Sequence, residues 1–547
     1  MRDDHLFGIA RHKRYAQLVR DFRWDLPETF NFGRDVVDAW ASERDGLALV
    51  WENADGDAAA FRYSDIARLS NRLASSLAAA GVAKGDRVIV MLPRVPEWQI
   101  AMVACLKLGA VAIPCIEMLT SRDIAYRVEN SEPKAIICRD VQVQKCAEIA
   151  DKVPVRIAVG GAPGWTSWTD AKASGYDDFA AADVRLDDPA LMYYTSGSTG
   201  HPKGVLHAAR ALYVWRMQAF MWLDLTPSDR IWCTADTGWS KAGTSIIWGP
   251  WSCGACAFFY DGPYVPTERL RLLAKHKVTV FCASSTEILR LSAEHTTAYD
   301  LSALRRTVSA GEAVNPVAAE RWEQTTGCKV SEAYGQTEAL MMVLNYPSEP
   351  VRYGSMGRPQ PGLDIDIVDD SGVRQPAGVE GHLALLTPSP QLMLGYWKDP
   401  ERTAQCFVSG PDGRWYLSGD RASKDADGYF WYQGRADDLI NSAGYRIGPL
   451  EVENALLEHP AVAECAVVPS PDRDRGEIVK AFVVVKDGVE GTDALARTLQ
   501  EHVKTVTAPY KYPRAIEFIA EIPKTVTGKI RRRTLKELEI ERAKAGG

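Results

Sequence analysis

The chain has 547 residues, 46% hydrophobic and 25% charged, with a net charge of -7. That length exceeds what one core organises, so at least two domains are expected. The acidic balance and the lack of a polybasic tract exclude an electrostatic footprint for nucleic acid or for an anionic membrane surface.

In chain order, residues 1 to 60 read as a lead-in, with Trp24 and the aromatic TFNFGRD draped over the main body rather than forming a domain. Asp3 and Asp4 and the absence of an apolar signal core argue against a targeting segment. Ser64 is expected to cap a helix whose Ile66, Leu69, Leu73 and Leu77 recur at three and four and which stops at Gly81. A KGD turn leads into VIVMLP (88 to 93), a continuous apolar run suited to a strand covered on both faces. Glu97 to Leu108 reads as the next helix, closed by Gly109, and VAIP as the next strand. The apolar stretch from Ile100 to Cys115 is broken by Lys107 and is too short to span a bilayer. KAIIC, VRIAV and VTVFCAS (278 to 284) repeat the buried-strand pattern, and the alternation argues for parallel sheet with helices on both faces.

Residues 359 to 434 change texture to turn dipeptides and short alternating runs such as DIDIV and HLALL, which read as mostly β. After Gly434 come VAECAVV, VKAFVVV, a helical ALARTLQEHVKTV and AIEFI, a compact α+β unit. The expected organisation is α/β: a large domain over 1 to 434, with parallel sheets, helices and a β subdomain, and a small mobile C-terminal α+β domain over 435 to 547. The eleven cysteines are an odd number in apolar contexts, such as Cys105 in AMVACLKLG and Cys138 in KAIIC, the pattern of buried free thiols in a reducing compartment. Cys253 and Cys256 form the one C-x-x-C, and their apolar setting makes them core residues rather than a zinc or redox site. A cytoplasmic protein without membrane insertion is expected.

The chain is organised around YYTSGSTGHPKG (193 to 204). Glycines admit an anion close to the backbone, hydroxyls donate to its oxygens, and a lysine supplies a compact positive charge. The stretch differs from a P-loop, because Pro202 precedes Lys203 where glycine is required and Gly204 follows where a magnesium-binding hydroxyl is required. Taken alone it fits a phosphate cradle or a flexible surface loop.

Six ordered motifs remove that ambiguity: YTSGSTGHPKG (194 to 204), SAGEA (309 to 313), YGQTE (334 to 338), YLSGD (416 to 420), GRADDLINSAGYRIGPLEVE (434 to 453) and PKTVTGKI (523 to 530). Through them nearly the whole chain resembles the adenylate-forming superfamily of acyl-CoA synthetases, luciferases and peptide-synthetase adenylation domains. SAGYRIGP, APYKYPR and DTGW look most like its medium-chain acyl-CoA synthetases. The resemblance implies an enzyme that joins a carboxylate to AMP from ATP with Mg²⁺, releases pyrophosphate, and passes the acyl group to coenzyme A. A carboxylate is already ionised at neutral pH, so the first step requires neutralised repulsion and alignment rather than a general base.

By that resemblance, Thr195, Ser196, Gly197, Ser198, Thr199, Gly200 and Lys203 form the phosphate cradle. Glu338 is the magnesium ligand, and Thr337 contacts the α-phosphate and the acid. Gly311, Glu312, Glu332, Ala333, Tyr334, Gly335 and Gln336 border the adenine site, while Asp420 and Arg435 take the ribose hydroxyls. Lys529 bridges carboxylate and α-phosphate during adenylation, with Lys524 as its natural control. Asp437 is the hinge about which the small domain turns for thioester formation, presenting Ala443, Gly444 and Tyr445 to the pantetheine. Arg446 is matched to ATP, and Arg475, Tyr512, Pro513 and Arg514 to coenzyme A; for Arg475 a solvated surface role is equally expected. Glu117 stands where relatives carry a glutamine against coenzyme A, a departure from the pattern.

Trp239, Trp248 and Trp251 are candidate walls of an acyl pocket, Trp239 foremost. Acetyl-CoA synthetases resemble this region but place a tryptophan where Gly335 stands, so the glycine is expected to leave room for a longer acid. A medium-chain or branched monocarboxylic acid is the expected substrate, and an aryl-CoA ligase of benzoate type is the rival enzyme on the same fold. A ligase that loads a carrier-protein thiol is disfavoured, because residues 434 to 514 match the coenzyme A relatives, and the intact Lys203, Glu338, Asp420 and Lys529 weigh against a non-catalytic acyl- or nucleotide-binding homologue. PKTVTGK also resembles bacterial sites acetylated on the final lysine, which makes a protein lysine acetyltransferase acting on Lys529 an expected partner, and a homodimer is an open possibility.

Overall fold

The computed structural model describes residues 5–6, 9–10, 12–195, 202–435, 438, 440–442, 445–472, 475–507, 509–524 and 530–545. Contacts divide the chain into two units: Met1–Val314, Ala318–Asp364 and Pro388–Phe407 form the first, and Asn315–Val317, Ile365–Thr387 and Val408–Gly547 the second. This division differs from a cut at residue 434. Gly381–Thr387, Gly413–Lys424 and Phe430–Arg435 share one antiparallel ladder, and helix Pro449–Glu458 packs on its last strand, which groups the β segment with the C-terminal residues.

Two sheets build the first unit. One runs Gly395–Tyr396, Lys203–Ala208, Pro189–Thr195, Val111–Pro114, Arg87–Met91, Ala135–Arg139, Val155–Val159, Thr166–Ser167, parallel except at its first two pairings. The other carries Val330–Gln336, Arg306–Ala310, Val280–Ala283, Arg230–Cys233, Cys256–Asp261 and Leu47–Asn53 in parallel. Antiparallel strands Leu340–Leu344 and Ala58–Arg62 flank that run. The early segment is thus no mere lead-in, since Leu47–Asn53 is an interior strand of this sheet. Val88 and Val90 face one core cluster and Ile89 and Met91 another, the alternation of a strand covered on both sides.

The helix over Tyr63–Ala79 begins one residue before Ser64. Its first turn is closed by Asp65, whose carboxylate accepts the Arg62 backbone N–H at 3.0 Å, and Gly81 ends it at φ +88°. Helix Pro96–Leu108 starts on a proline one residue before the expected Glu97, closes at Gly109 as expected, with φ +72°, and is buried on every face. That burial includes Lys107, which is fully enclosed. Its ammonium donates to Asp38 Oδ1 at 2.6 Å, Asn71 Oδ1 at 2.5 Å and the Ala67 carbonyl at 3.2 Å, so all three protons are used. Gly33 makes room for it, because a Cβ there would lie 2.3 Å from Lys107 Cγ.

The hairpin of Val330–Gln336 and Leu340–Leu344 carries YGQTE at its bend. Its register shifts between Tyr334 and Gly335, Leu340 adopts φ +49°, and a Cβ on Gly335 would meet the Leu340 carbonyl oxygen at 2.2 Å. A branched-chain residue at positive φ holds local strain that only surrounding contacts maintain.

In the second unit, Val462–Asp472 and Gly476–Val485 pair antiparallel, Ala515–Phe518 joins in parallel, and helix Asp493–Val506 covers a core of Val467, Val483 and Leu499. The expected strand, strand, helix, strand order holds. Helices Pro449–Glu458 and Arg532–Ala545 are additions to that order. All eleven cysteines are free, Cys406 alone being half-buried and the others buried, Cys253 and Cys256 among them. Among the described residues no helix is long and apolar enough to cross a membrane.

Asp38→Ala leaves the Lys107 ammonium buried without its carboxylate and should cost about 3 kcal/mol, read as a lower denaturation midpoint; an unchanged midpoint would contradict this account. Gly335→Ala forces backbone apart and should cost roughly 2 kcal/mol. Faster amide exchange across Leu340–Leu344 is the local signature, and wild-type exchange there would show that the bend relaxes freely.

Candidate active site

Thr195 and Lys203 are paired across an antiparallel ladder, so Ser196, Gly197, Ser198, Thr199 and Gly200 belong to a strand-to-strand connection, unlike the strand-to-helix connection of a P-loop. Those five residues lie outside the described residues. Pro202 is held at its far end, its carbonyl accepting the Tyr126 hydroxyl at 2.9 Å. The half-buried Lys203 places its ammonium 4.6 Å from the ring centroid of Tyr396 and 3.4 Å from its hydroxyl. That hydroxyl donates to Glu338 Oε1 at 2.8 Å. Burial and the Glu338 charge keep the phenol well above its ordinary titration range, so it remains a donor. Cation, hydroxyl and carboxylate therefore form one chain, and Tyr396 is its unforeseen member.

Thr337 precedes Glu338 and is fixed from two sides. Its carbonyl accepts from His207 Nε2 at 2.7 Å, and its hydroxyl lies 3.3 Å from Ser240 Oγ. His207 is fully buried, and burial pulls its ring down to about 4. A neutral ring facing a carbonyl must carry its proton on Nε2, and Nδ1 has no hydrogen-bond partner among the described residues. His207 shares its strand with Lys203, so one element positions both the lysine and the threonine.

Ser240 follows DTGW. Gly238 of that segment is pressed against the end of the first sheet, where a Cβ would stand 2.6 Å from the Ile116 nitrogen. Trp239 is half-buried, with an indole nitrogen that has no partner among the described residues. Trp248 and Trp251 instead belong to the interior: Trp248 meets Phe32 edge-on at 4.9 Å, and Trp251 donates to the Ala48 carbonyl at 2.9 Å. Lys241 donates to the carbonyls of Ala283 at 3.0 Å and Ala310 at 3.1 Å, tying the ends of two neighbouring parallel strands. Glu117 is committed to Arg139, with 2.7 Å between Oε1 and Nε, and burial raises its carboxyl despite that partner.

Around the expected adenine site, Gly311 sits at φ +96°, and Glu312 accepts the Thr286 N–H at 3.0 Å. Glu332 is buried and accepts the Val314 N–H at 3.3 Å. Burial, with the Glu312 charge adding to it, pushes its carboxyl up to about 8. Its side chain thus braces the loop after Ala310. Ala333 is core, while Tyr334 is half-buried, its hydroxyl accepting from Gln336 Nε2 at 3.1 Å. Gly335 has a structural reason of its own: the close backbone approach in the hairpin requires glycine whatever the pocket holds. The glycine is therefore not by itself a measure of pocket depth.

In the second unit, Asp420 and Arg435 face each other across a ladder, with 3.5 Å between Oδ1 and Nε, and the Tyr432 hydroxyl is 3.3 Å from the same oxygen. Asp420 is buried. Arg475 lies 3.5 Å from Ser442 Oγ through Nε, and its N–H is held by Asp472 at 2.9 Å. Arg514 donates to the Tyr512 hydroxyl at 2.9 Å, and the Pro513 carbonyl accepts from Gln500 at 3.0 Å. Tyr445 and Arg446 lie on the strand Tyr445–Ile447, with Arg446 opposite Asn441. Asp437, Ala443, Gly444 and Lys529 lie outside the described residues. Lys524, the expected control, pairs with Glu464 at 2.5 Å and opposite Ile530 in an antiparallel bridge.

Residues 37–397 match the AMP-binding enzyme family, and residues 451–529 match the AMP-binding enzyme C-terminal domain. Over 98% of its length the chain is 40% identical to the acyl-coenzyme A synthetase ACSM3, mitochondrial, of Homo sapiens, covering 94% of that protein. It is 42% identical to the uncharacterized acyl-CoA ligase YtcI of Bacillus subtilis, over 90% of this chain and 93% of that one. The crystal structure of the anthranilate CoA ligase AuaEII with anthranoyl-AMP superposes with a TM-score of 0.86 at 29% identity, covering 95% of this chain and 99% of that one. The chain belongs to the AMP-binding enzyme family, among its acyl-CoA synthetases.

Proposed function

We propose that the protein activates a medium-chain or branched fatty acid with ATP and transfers the acyl group to coenzyme A. The observation that carries this reading is the convergence of Lys203 and Glu338 on one tyrosine hydroxyl, beside a Thr337 braced from two sides. A carboxylate oxygen of the acid attacks the α-phosphorus of ATP, pyrophosphate leaves, and an acyl adenylate results. The thiol of coenzyme A then replaces AMP at the acyl carbon. Lys203 holds the departing phosphates, and Thr337 aligns the acid with the α-phosphate. Lys529 stabilises the charge shared between them, with Arg446 assisting. Tyr334, Gly311 and Glu312 border the base, Asp420 and Arg435 hold the ribose, and Trp239 bounds the acyl chain.

Glu338 fits a magnesium site, because this ion takes one or two carboxylates together with phosphate oxygens and water, and the Tyr396 hydroxyl engages only Oε1 of its carboxylate. Mg²⁺, when bound, supplies charge neutralisation on the phosphates. In the second half-reaction, residues 435 to 547 turn about Asp437, and Ala443, Gly444, Tyr445, Arg475, Tyr512, Pro513 and Arg514 serve coenzyme A. We place the enzyme in the cytoplasm, with a lysine acetyltransferase acting on Lys529 and a homodimer as further proposals.

Pyrophosphate release with acetate, butyrate, isobutyrate, hexanoate, octanoate and benzoate tests the substrate. Turnover should peak at hexanoate or octanoate and require coenzyme A; a benzoate maximum would favour an aryl-CoA ligase, and silence on every acid would indicate a non-catalytic homologue. Lys529→Ala should lower adenylation by about a hundredfold or more while leaving thioester formation from preformed acyl adenylate largely intact. Equal losses in both half-reactions would contradict a role confined to the first.

A further inference from the structure

We propose that Tyr396 is a positioning residue for adenylation: its hydroxyl sets the Glu338 carboxylate for the divalent cation, and its ring sets the Lys203 ammonium for the nucleotide. The proposal rests on the roles proposed above for Glu338 and Lys203.

Tyr396 is placed by backbone rather than by a mobile loop. It lies opposite Val205 on the edge strand Gly395–Tyr396, so Lys203, two residues along the facing strand, is its diagonal neighbour on the same face. On either side of it, Leu206 faces Gly395 in the ladder, and the Trp397 N–H bonds the Gly204 carbonyl at 2.7 Å. The Tyr396 N–H itself donates to Thr403 Oγ1 at 2.9 Å, and Thr403 in turn donates to the Asp399 carbonyl at 2.8 Å. Glu338 is anchored from the same stretch of chain, its carbonyl accepting the Met393 N–H at 2.8 Å. The residues from Met393 to Thr403 therefore hold the tyrosine, the glutamate backbone and the lysine strand in one frame.

Two separable effects follow. A glutamate carboxylate rotates broadly about its last torsion, and a hydrogen bond to Oε1 selects one orientation for a ligand at the other oxygen. A lysine side chain has many rotamers, and attraction to the ring face narrows them before ATP arrives. The hydroxyl, which donates to Glu338 at 2.8 Å and accepts only a long 3.4 Å contact from Lys203, thus acts mainly on metal dependence, and the ring mainly on nucleotide affinity.

Three variants separate these effects, read by calorimetric binding of ATP in chelator, Mn²⁺ paramagnetic resonance of the ATP complex, and the Mg²⁺ dependence of ATP–pyrophosphate exchange. Tyr396→Phe should lose no more than about twofold in affinity for metal-free ATP, since the ring stays and the Lys203 contact to the hydroxyl is long, and should keep an unchanged KM for the acid. It should bind Mn²⁺ about tenfold more weakly and need about tenfold more Mg²⁺, as expected for one lost hydrogen bond to a charge. Tyr396→Leu should in addition lose about fivefold in metal-free ATP affinity. Glu338→Gln should shift metal dependence alone. Wild-type metal dependence in Tyr396→Phe, with a shift in Glu338→Gln, overturns the tyrosine assignment while sparing the role of Glu338. No shift in Glu338→Gln removes that role and the proposal with it. Equal losses for acid, ATP and metal in Tyr396→Phe mark a general disturbance and overturn the proposal.

Discussion

The site depends on a backbone ladder in which Val205 is paired on one side with Tyr193 and on the other with Tyr396. Because this strand is hydrogen-bonded along both edges, the side chains that leave it have fixed separations. Lys203 emerges at one end beside Tyr396, and His207 emerges four residues later against the Thr337 carbonyl. The hairpin from the other sheet, with Glu338 and Thr337 at its bend, meets Tyr396 of the edge strand and His207. Residues that handle two anions must keep sub-ångström relations, and ladders hold such relations better than loops do.

The electrostatics around this junction are economical. His207 and Glu332 are both buried, and burial drives both toward their neutral forms, the imidazole downward to about 4 and the carboxyl upward to about 8. Each still makes a directed hydrogen bond, one to a carbonyl and one from an amide, so each braces backbone without adding charge. Lys241, next to Ser240 in the chain, directs its ammonium to two strand-end carbonyls.

Most of the architecture was legible in the sequence because its signals are local. Apolar runs such as VIVMLP, the proline and glycine bounding Pro96–Leu108, and the ordered motifs each depend on a few adjacent residues. Strand Leu47–Asn53 was overlooked although the apolar LALVW is followed by the Asp55-Gly56 turn of a hairpin; that it is an interior strand depends on its distant partner Cys256–Asp261, which no local pattern reports. Tyr396 was equally hidden: GYWKDP reads as a turn, and the tyrosine acquires its neighbours through pairing with residues almost two hundred positions earlier. The grouping of the β segment with the C-terminal residues also arises from a ladder and from helix packing, which no local pattern reports. Trp248 and Trp251 show the converse, since aromatic identity near a site motif said nothing about which tryptophans face inward.

The hairpin bend also limits which residues the chain can carry at position 335. At position 335 this chain has a glycine, and the space its missing Cβ would take is already occupied by the carbonyl of Leu340, itself in a left-handed conformation. Introducing bulk at this position therefore requires the turn to be re-laid first, by changes at Leu340 or Met341 that move the facing backbone. The identity of residue 335 is in this sense dictated by a backbone path rather than by its side-chain neighbours. A lineage or a designer would have to cross a destabilised intermediate to alter it.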